Sequence, residues 1–207
     1  MARYYEVHPE NPQPRTIQQV ADLLRDGALI AYPTDSAFAL GAALGNAEGI
    51  QRIKTIRELD DKHHFTLVVD EFAKLGQYVE MDNWVFRAVK AATPGPYTFI
   101  LKATKEVPKM MQHPKKRTVG VRIPAHTTTL ALLDALGAPL LTSTLLMPGQ
   151  EDAPIEGWAI KEMLENQIDA VLDSGDAGTE PTTVVDLTGD EPVIARLGAG
   201  DPSPFES

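Results

Sequence analysis

The sequence GALIAYPTDSAFALG, residues 27–41, shapes our interpretation of the whole chain. Residues 28–32 form a short apolar run typical of a buried strand, and Pro33 ends it. A polar turn at residues 34–36 follows, and a second apolar run covers residues 38–41. Before this stretch, apolar residues recur at helical spacing between Thr16 and Asp26, and Gly27 supplies a helix stop. The order helix, strand, turn, strand predicts a fold that combines helices with a sheet.

The same alternation continues along the chain. Helices are predicted at residues 47–57, 71–78, 83–92, 128–136 and around 156–166, and strands at 65–69, 97–101, 119–123, 139–143, 170–172, 183–187 and 193–196. We expect about eight strands and five or six helices, and their mixed order predicts an α/β or α+β fold with one large twisted mixed sheet and flanking helices.

Length and composition exclude several classes of protein. The 207 residues are 43% hydrophobic and 23% charged, which is typical of an ordinary globular chain. We expect a single domain over residues 1–207, with a short extended N-terminal segment at residues 1–15. The chain has no cysteine, which removes disulfides and thiolate chemistry. No apolar run approaches the roughly 20 residues of a membrane helix, and we expect a cytoplasmic protein.

Charge is distributed unevenly along the chain. The formal net charge is -10, yet residues 102–122 carry seven cations against Glu106, a local net charge of +6. Residues 150–207 carry fourteen acids against Lys161 and Arg196, a local net charge of -12. Such asymmetry indicates a partner surface, although a solvated basic loop with nothing bound explains an isolated charge run equally well.

Common catalytic motifs are absent. The sequence contains neither a G-x-x-x-x-G-K-[ST] nor a G-x-G-x-x-G, which argues against a P-loop or a Rossmann site. The five histidines lack a metal-ligand spacing, so we expect no protein-bound metal. No G-x-S-x-G elbow is present either. We interpret the adjacent pair His63 and His64 as an exposed loop pair in preference to a general base.

Hydroxyl residues and single arginines recur at the ends of predicted strands. These residues are Thr34, Thr118, Arg122, Thr142, Ser143, Thr182, Thr183 and Arg196. Strand ends are where α/β proteins place their ligands. Hydroxyl groups can bind phosphate or carboxylate oxygens, and a guanidinium can hold either group with two hydrogen bonds. The set therefore predicts an anionic ligand, although any one of these residues can equally be a turn former or a surface residue.

Six motifs in order carry a resemblance to a known family. They are PTDSAFALG (33–41), Lys54-x-x-Arg57, TPGPYT (93–98), VRIP (121–124), LTST (141–144) and PTTVVDL (181–187). In this order and with these gaps the chain resembles the threonylcarbamoyl-AMP synthase family, also called YrdC-like, and most of all its YciO branch. The resemblance covers about residues 16–200.

The resemblance implies a twisted mixed α/β fold with a large, positively charged cleft. It also implies a nucleotidyltransferase that converts L-threonine, bicarbonate and ATP into threonylcarbamoyl-AMP and pyrophosphate for the t6A modification of tRNA, with Mg²⁺ accompanying the nucleotide. By family likeness Thr34, Arg122, Thr142 and Thr182 would contact the amino acid or carbamoyl group. The nucleotide would be held by Lys54, Arg57, Thr118, Ser143 and Arg196, with Lys54, Arg57 and Ser143 as the catalytic residues.

The sequence departs from the family pattern at three places. The usual Lys-x-Arg has one extra residue here, the asparagine of Ser-x-Asn is replaced by Leu145, and the motif tyrosine is Phe38. Loss of one buried polar partner costs about 1–3 kcal/mol. We therefore expect a retained cleft with weakened synthase activity.

Two other functions remain open at this stage. The family is also described as binding double-stranded RNA and tRNA, and the basic segment could follow a phosphate backbone. Alternatively, the cleft serves another nucleotide, or the acidic C-terminal third docks a basic partner protein. A monomer and a homodimer are both compatible with the sequence. On the synthase interpretation, Arg122→Ala and Lys54→Ala should weaken nucleotide binding without lowering thermal stability by more than a degree or two.

Overall fold

The computed structural model describes residues 1–206 of the chain, so Ser207, the last residue of the expected domain, lies outside the described part. The helices are α1 (Pro14–Arg25), α2 (Ala47–Arg57), α3 (Leu75–Tyr78), α4 (Asn83–Ala92), α5 (Thr127–Leu136) and α6 (Gly157–Met163). The strands are β1 (Arg3–Glu6), β2 (Ile30–Tyr32), β3 (Ala39–Ala43), β4 (Thr66–Val68), β5 (Tyr97–Lys102), β6 (Thr118–Arg122), β7 (Leu140–Thr144), β8 (Ala170–Asp173), β9 (Thr183–Asp186) and β10 (Val193–Arg196).

The ten strands form one mixed sheet in the order β1-β8-β2-β3-β7-β4-β6-β5-β9-β10. Parallel pairs join β1 to β8, β8 to β2, β4 to β6 and β5 to β9. The other neighbours are antiparallel, and β3, β7 and β4 form the centre of the sheet. The expected mixed α/β architecture is confirmed.

Apolar side chains cover both faces of this sheet. Successive strand residues point to opposite faces, and accordingly Leu140 belongs to one buried cluster and Leu141 to the other. On the first face, α1 and α5 pack against each other and bury their apolar sides. On the second face, α2, α4 and α6 contribute Ile53, Val89 and Ile160. Helices on both faces leave the strand ends open for a site.

The best-predicted helices have strong end signals in the sequence. Asn46 caps α2 by accepting a hydrogen bond from the backbone amide of Gly49 at 2.9 Å, and Asp82 caps α4 from Val85 at 3.2 Å. Gly137, in the left-handed conformation with φ of 68°, ends α5. These caps explain why α2 and α4 have the bounds that the sequence predicts.

Two local differences from the sequence interpretation have physical causes. The N-terminal segment contains strand β1, which pairs in parallel with β8 from Arg3↔Ala170 to Glu6↔Asp173, and α1 begins at Pro14. The helix expected at residues 71–78 divides into a single 3-10 turn and the short α3. Within residues 1–206, the longest helix has 12 residues, and no helix has the length and apolar content needed to cross a membrane.

Candidate functional site

A cavity of about 270 Å³ opens where α2, β4, β5, β7, β9 and β10 meet. Its lining residues are Arg57, Lys62, His63, His64, Thr66, Thr98, Ile100, Ser143, Thr144, Thr182, Val184 and Arg196. In the described part of the chain, this lining holds three permanent cations and no carboxylate. The cavity therefore has the charge of an anion site, as the strand-end residues predict.

Arg57 joins the end of α2 to the end of β7. Its Nη1 donates to the Ser143 Oγ at 2.6 Å, and its Nε donates to the carbonyl of Leu146 at 3.1 Å. Burial, followed by the charge of Arg196, lowers the pKa of Arg57 to about 10. The guanidinium is therefore still charged at neutral pH, and its partial desolvation strengthens its attraction for an anion.

Arg196 faces Arg57 across the cavity from the end of β10. Its Nη2 donates to the carbonyl of Thr182 at 2.8 Å, and burial lowers its pKa. After β10 the backbone passes close to the segment before β9. Gly198 allows this close packing, because a Cβ there would lie 2.2 Å from the carbonyl oxygen of Pro181. The Thr182 hydroxyl lies 2.7 Å from the hydroxyl of Thr98. Two arginines and a pair of hydroxyls thus line the cavity.

His63 lies in the cavity beside Ser143. Its Nε2 is 3.2 Å from the Ser143 Oγ, and its ring packs edge-on against Phe65 with centroids 5.4 Å apart. Burial, and then the charge of Arg57, lower the pKa of His63 to about 4. The expectation of an exposed loop pair is wrong, because both His63 and His64 are partly buried.

His64 connects the cavity to the basic segment. Its Nε2 lies 2.7 Å from the hydroxyl of Thr118, and its ring lies 5.1 Å from that of His113, tilted by 32°. Burial and the neighbouring His113 lower the pKa of His64. Thr118 reaches the cavity through this histidine and is not itself a lining residue.

A second polar group forms around the first predicted turn. Buried Arg122 makes an ion pair with Asp35, and its Nη1 donates to the Ser36 Oγ at 3.2 Å. The Thr34 hydroxyl lies 3.1 Å from the Ser36 Oγ and donates to the carbonyl of Ala37 at 2.6 Å. Thr34 and Arg122 are therefore brought together around the Ser36 hydroxyl. The Arg122 Nε is buried without a hydrogen-bond partner among residues 1–206.

Two other predicted residues have different surroundings. The Thr142 hydroxyl donates to the carbonyl of Leu40 at 2.8 Å and lies 2.7 Å from the hydroxyl of Tyr32, inside the sheet. The Lys54 Nζ pairs at 2.9 Å with exposed Asp61, outside the cavity lining. The functional roles of Thr142 and Lys54 stay predictions.

The structure thus gathers four predicted residues in the cavity: Arg57, Ser143, Thr182 and Arg196. Sequence reasoning missed Lys62 and Thr98, and it gave little weight to His63. The sequence does contain a signal for Lys62 and His63. Both lie in the polar segment between the end of α2 and the start of β4, which runs beside the strand ends that form the cavity.

Two of the family departures lie in the apolar core. Leu145 and Phe38 are fully buried in the same apolar cluster, and the Leu145 amide donates to the carbonyl of Phe38 at 2.8 Å. Neither side chain lines the cavity or contributes a polar group to it.

The described residues offer no protein-built metal site. Across residues 1–206, no group of three or more histidine, aspartate or glutamate side chains is placed to hold an ion.

Fold and site together define a family. Residues 22–198 match the Sua5, YciO and YrdC family model, whose description is "Telomere recombination". The chain belongs to this family, and the predicted resemblance is confirmed.

Particular relatives refine the assignment. The chain is 45% identical to YciO of Escherichia coli (strain K12) over 99% of this chain and 100% of that protein. It superposes on the crystal structure of E. coli YciO with a TM-score of 0.97, covering 100% of both chains. It is 28% identical to threonylcarbamoyl-AMP synthase of Vibrio vulnificus over 75% of this chain and 84% of that protein. P. abyssi Sua5, solved in complex with L-threonine, aligns with a TM-score of 0.85 at 26% identity, covering 94% of this chain and 57% of that one.

Proposed function

We propose that this protein binds ATP and L-threonine and forms threonylcarbamoyl-AMP with weakened activity. The observation that carries the proposal is the cavity at the strand ends, where Arg57, Arg196 and Lys62 converge without an acidic lining residue in the described chain. Such a cavity suits a polyphosphate, because fixed cations stabilise the charge that develops on its oxygens.

The chemistry requires positioning more than covalent help from the protein. The amine of L-threonine and bicarbonate combine to a carbamate with loss of water. A carbamate oxygen then attacks the α-phosphorus of ATP, the bond to the bridging oxygen breaks, and pyrophosphate leaves with the bonding electrons. Arg57 and Arg196 would bind the phosphate oxygens and stabilise this negative charge. Mg²⁺ carried by the nucleotide would neutralise part of the same charge.

The amino acid would use the second polar group. A free amino acid carries both an ammonium and a carboxylate, and Arg122 beside Asp35 presents one charge of each sign. The unpartnered Nε of Arg122 is a further donor for a carboxylate. The comparisons support this use in general terms, since one relative carries the synthase name and P. abyssi Sua5 was crystallised with L-threonine.

Weak activity follows from the apolar departures. Leu145 and Phe38 occupy core positions where the family motif supplies an amide and a hydroxyl. The loss of one polar partner costs about 1–3 kcal/mol, which corresponds to roughly one to two decades in rate.

Calorimetric titration with ATP and Mg²⁺ tests the proposal, with and without L-threonine and bicarbonate. The same mixtures are assayed for pyrophosphate and, by mass spectrometry, for threonylcarbamoyl-AMP. We expect ATP binding and slow product formation that requires L-threonine. Arg57→Gln should abolish both, whereas Arg87→Gln, which removes an exposed cation on α4, should change neither. Binding without threonine-dependent product would refute the synthase activity, and absence of binding would refute the nucleotide site.

The basic segment supports a second candidate function, RNA binding. Of the seven cations in residues 102–122, only Arg122 takes part in an ion pair within the described residues. Unpaired cations are available for a phosphate backbone, and such binding weakens steeply with salt. A combined Lys115→Gln and Lys116→Gln variant should weaken binding of a double-stranded RNA probe and spare ATP binding. If the wild type fails to bind the probe at low salt, this function is excluded.

A further inference from the structure

His63 is held in the cavity by neutral partners and surrounded by cations. Its Nε2 faces the Oγ of Ser143 on β7, and Phe65, directly before β4, packs against its ring. Arg57 faces it from α2 and Arg196 from β10, and both charges oppose its protonation.

The segment around His63 adds little that would balance these cations. Lys62 also lines the cavity, and the adjacent His64 opposes protonation of His63 as well. Asp60 favours the protonated form, but it is an exposed residue and the weakest of the influences on His63. The free cavity therefore keeps the imidazole neutral. Desolvation acts in the same direction, and together these causes hold its pKa near 4.

An anionic ligand reverses this electrostatic balance. A polyphosphate brings several negative charges to the place where Arg57 and Arg196 act on the imidazole, opposed only by exposed Asp60. Opposite charge at close range favours the protonated form of histidine. Protonated imidazole also gains a second N–H donor, so it can hydrogen-bond a phosphate oxygen.

We propose that His63 is an additional ligand-binding residue of this cavity, which takes up a proton and donates a hydrogen bond to a phosphate oxygen when a polyphosphate enters. The proposal rests on the anion-binding part of the proposed function, and it does not require that the synthase reaction occurs. In the free protein His63 is neutral and contacts Ser143, and it acquires the phosphate-binding role only when the ligand is bound.

Linkage gives the sign of the effect. A site that gains a proton on binding holds its ligand more tightly as the pH falls, by up to about tenfold per pH unit for one proton. We expect the affinity for ATP and for inorganic triphosphate to rise between about pH 8 and pH 6. The free protein, in contrast, should bind no proton at His63 in this range.

Calorimetric titration in two buffers with different ionisation enthalpies counts the protons taken up. The probes are ATP with Mg²⁺ and inorganic triphosphate, each titrated into the wild type, His63→Gln and His8→Gln over the same pH range. Gln retains a polar side chain, and His8 is an exposed histidine outside the cavity lining. The proton change intrinsic to each phosphate probe is the same in all three proteins, so differences between them report on the histidine.

Proton uptake that occurs in the wild type and in His8→Gln, and that disappears in His63→Gln, supports the proposal. Equal uptake in His63→Gln, or binding without any uptake, overturns it and leaves the nucleotide site intact. Failure of both probes to bind refutes the anion site, and the role of His63 falls with it. The NMR titration of the histidine ring protons in the wild type provides a check that needs no variant: one ring should acquire a higher pKa when triphosphate is added.

Discussion

The Arg122–Asp35 ion pair allows a quantitative test of the structure. Both side chains are almost fully removed from solvent, with exposed fractions of 6% and 10%. Removing one partner of a buried pair leaves the other charge unpaired and costs about 3–5 kcal/mol. At roughly 2–4 °C per kcal/mol for a chain of this size, Arg122→Met should lower the Tm by about 6 to 20 °C. The pair thus changes the sequence-based expectation that Arg122 can be replaced without loss of stability.

Thermal and urea unfolding of the wild type, Arg122→Met, Asp35→Asn, the combined variant and Lys74→Met measure this cost. Asp35 also accepts a hydrogen bond from the amide of Ala125 at 2.8 Å, which Asn can still accept. The combined Arg122→Met and Asp35→Asn variant should therefore lose less stability than the sum of the single variants, since no charge is left unpaired. Lys74→Met provides the exposed comparison, because its pair with Asp70 lies at the surface and contributes less than about 1 kcal/mol.

The reasoning fails if Arg122→Met loses no more stability than Lys74→Met. In that case the buried pair would contribute nothing to the fold. Arg122 would then be free to act on a ligand alone, and a loss of L-threonine binding in the variant would report a direct contact.

Three further predictions concern the surroundings of the cavity. Leu145→Asn, which restores the family's amide, should lose about 2–5 kcal/mol in urea unfolding, because residue 145 is fully buried in the apolar core. Burial raises the pKa of Tyr32 from 10.0 to about 12. The contribution of the neutral phenol to stability is therefore complete below about pH 10 and is lost as the pH rises towards 12. The free energy of unfolding should fall more steeply with alkaline pH in the wild type than in Tyr32→Phe. Arg57→Gln should reduce ATP affinity more than Lys54→Gln in the same titration, because Lys54 is engaged by exposed Asp61.

Local sequence signals predict the position and bounds of an element when its own residues determine that it forms. Helix α2 has a capping asparagine and isoleucines at helical spacing, so its bounds follow from the sequence. Strand β1 has only four residues, two of them charged, and it exists because it pairs with β8 at the other end of the chain. No local pattern encodes such a distant pairing.

The candidate site also has a part that the sequence predicts and a part that it does not. Hydroxyls and arginines at strand ends identified Ser143, Thr182 and Arg196 as residues that share a site, because strand ends converge in a sheet. Their partners were not predictable. That Asp35 neutralises Arg122, and that His63 faces Ser143, depends on how neighbouring strands are ordered across the sheet.

The balance of charged and neutral groups in the cavity leads to a last prediction. With Leu145 and Phe38 in the core, phosphate binding depends mainly on the charges of Arg57, Arg196 and Lys62. Interactions between exposed charges are screened over about 8 Å at 0.15 M salt and over about 3 Å at 1 M. The affinity for inorganic triphosphate should therefore fall several-fold when KCl rises from about 0.05 to 0.5 M, and it should fall less in Lys62→Gln, where one of the three cations is absent. An affinity that does not change with salt would mean that neutral hydrogen-bond donors hold the phosphates, and the electrostatic role given to this cavity would be wrong.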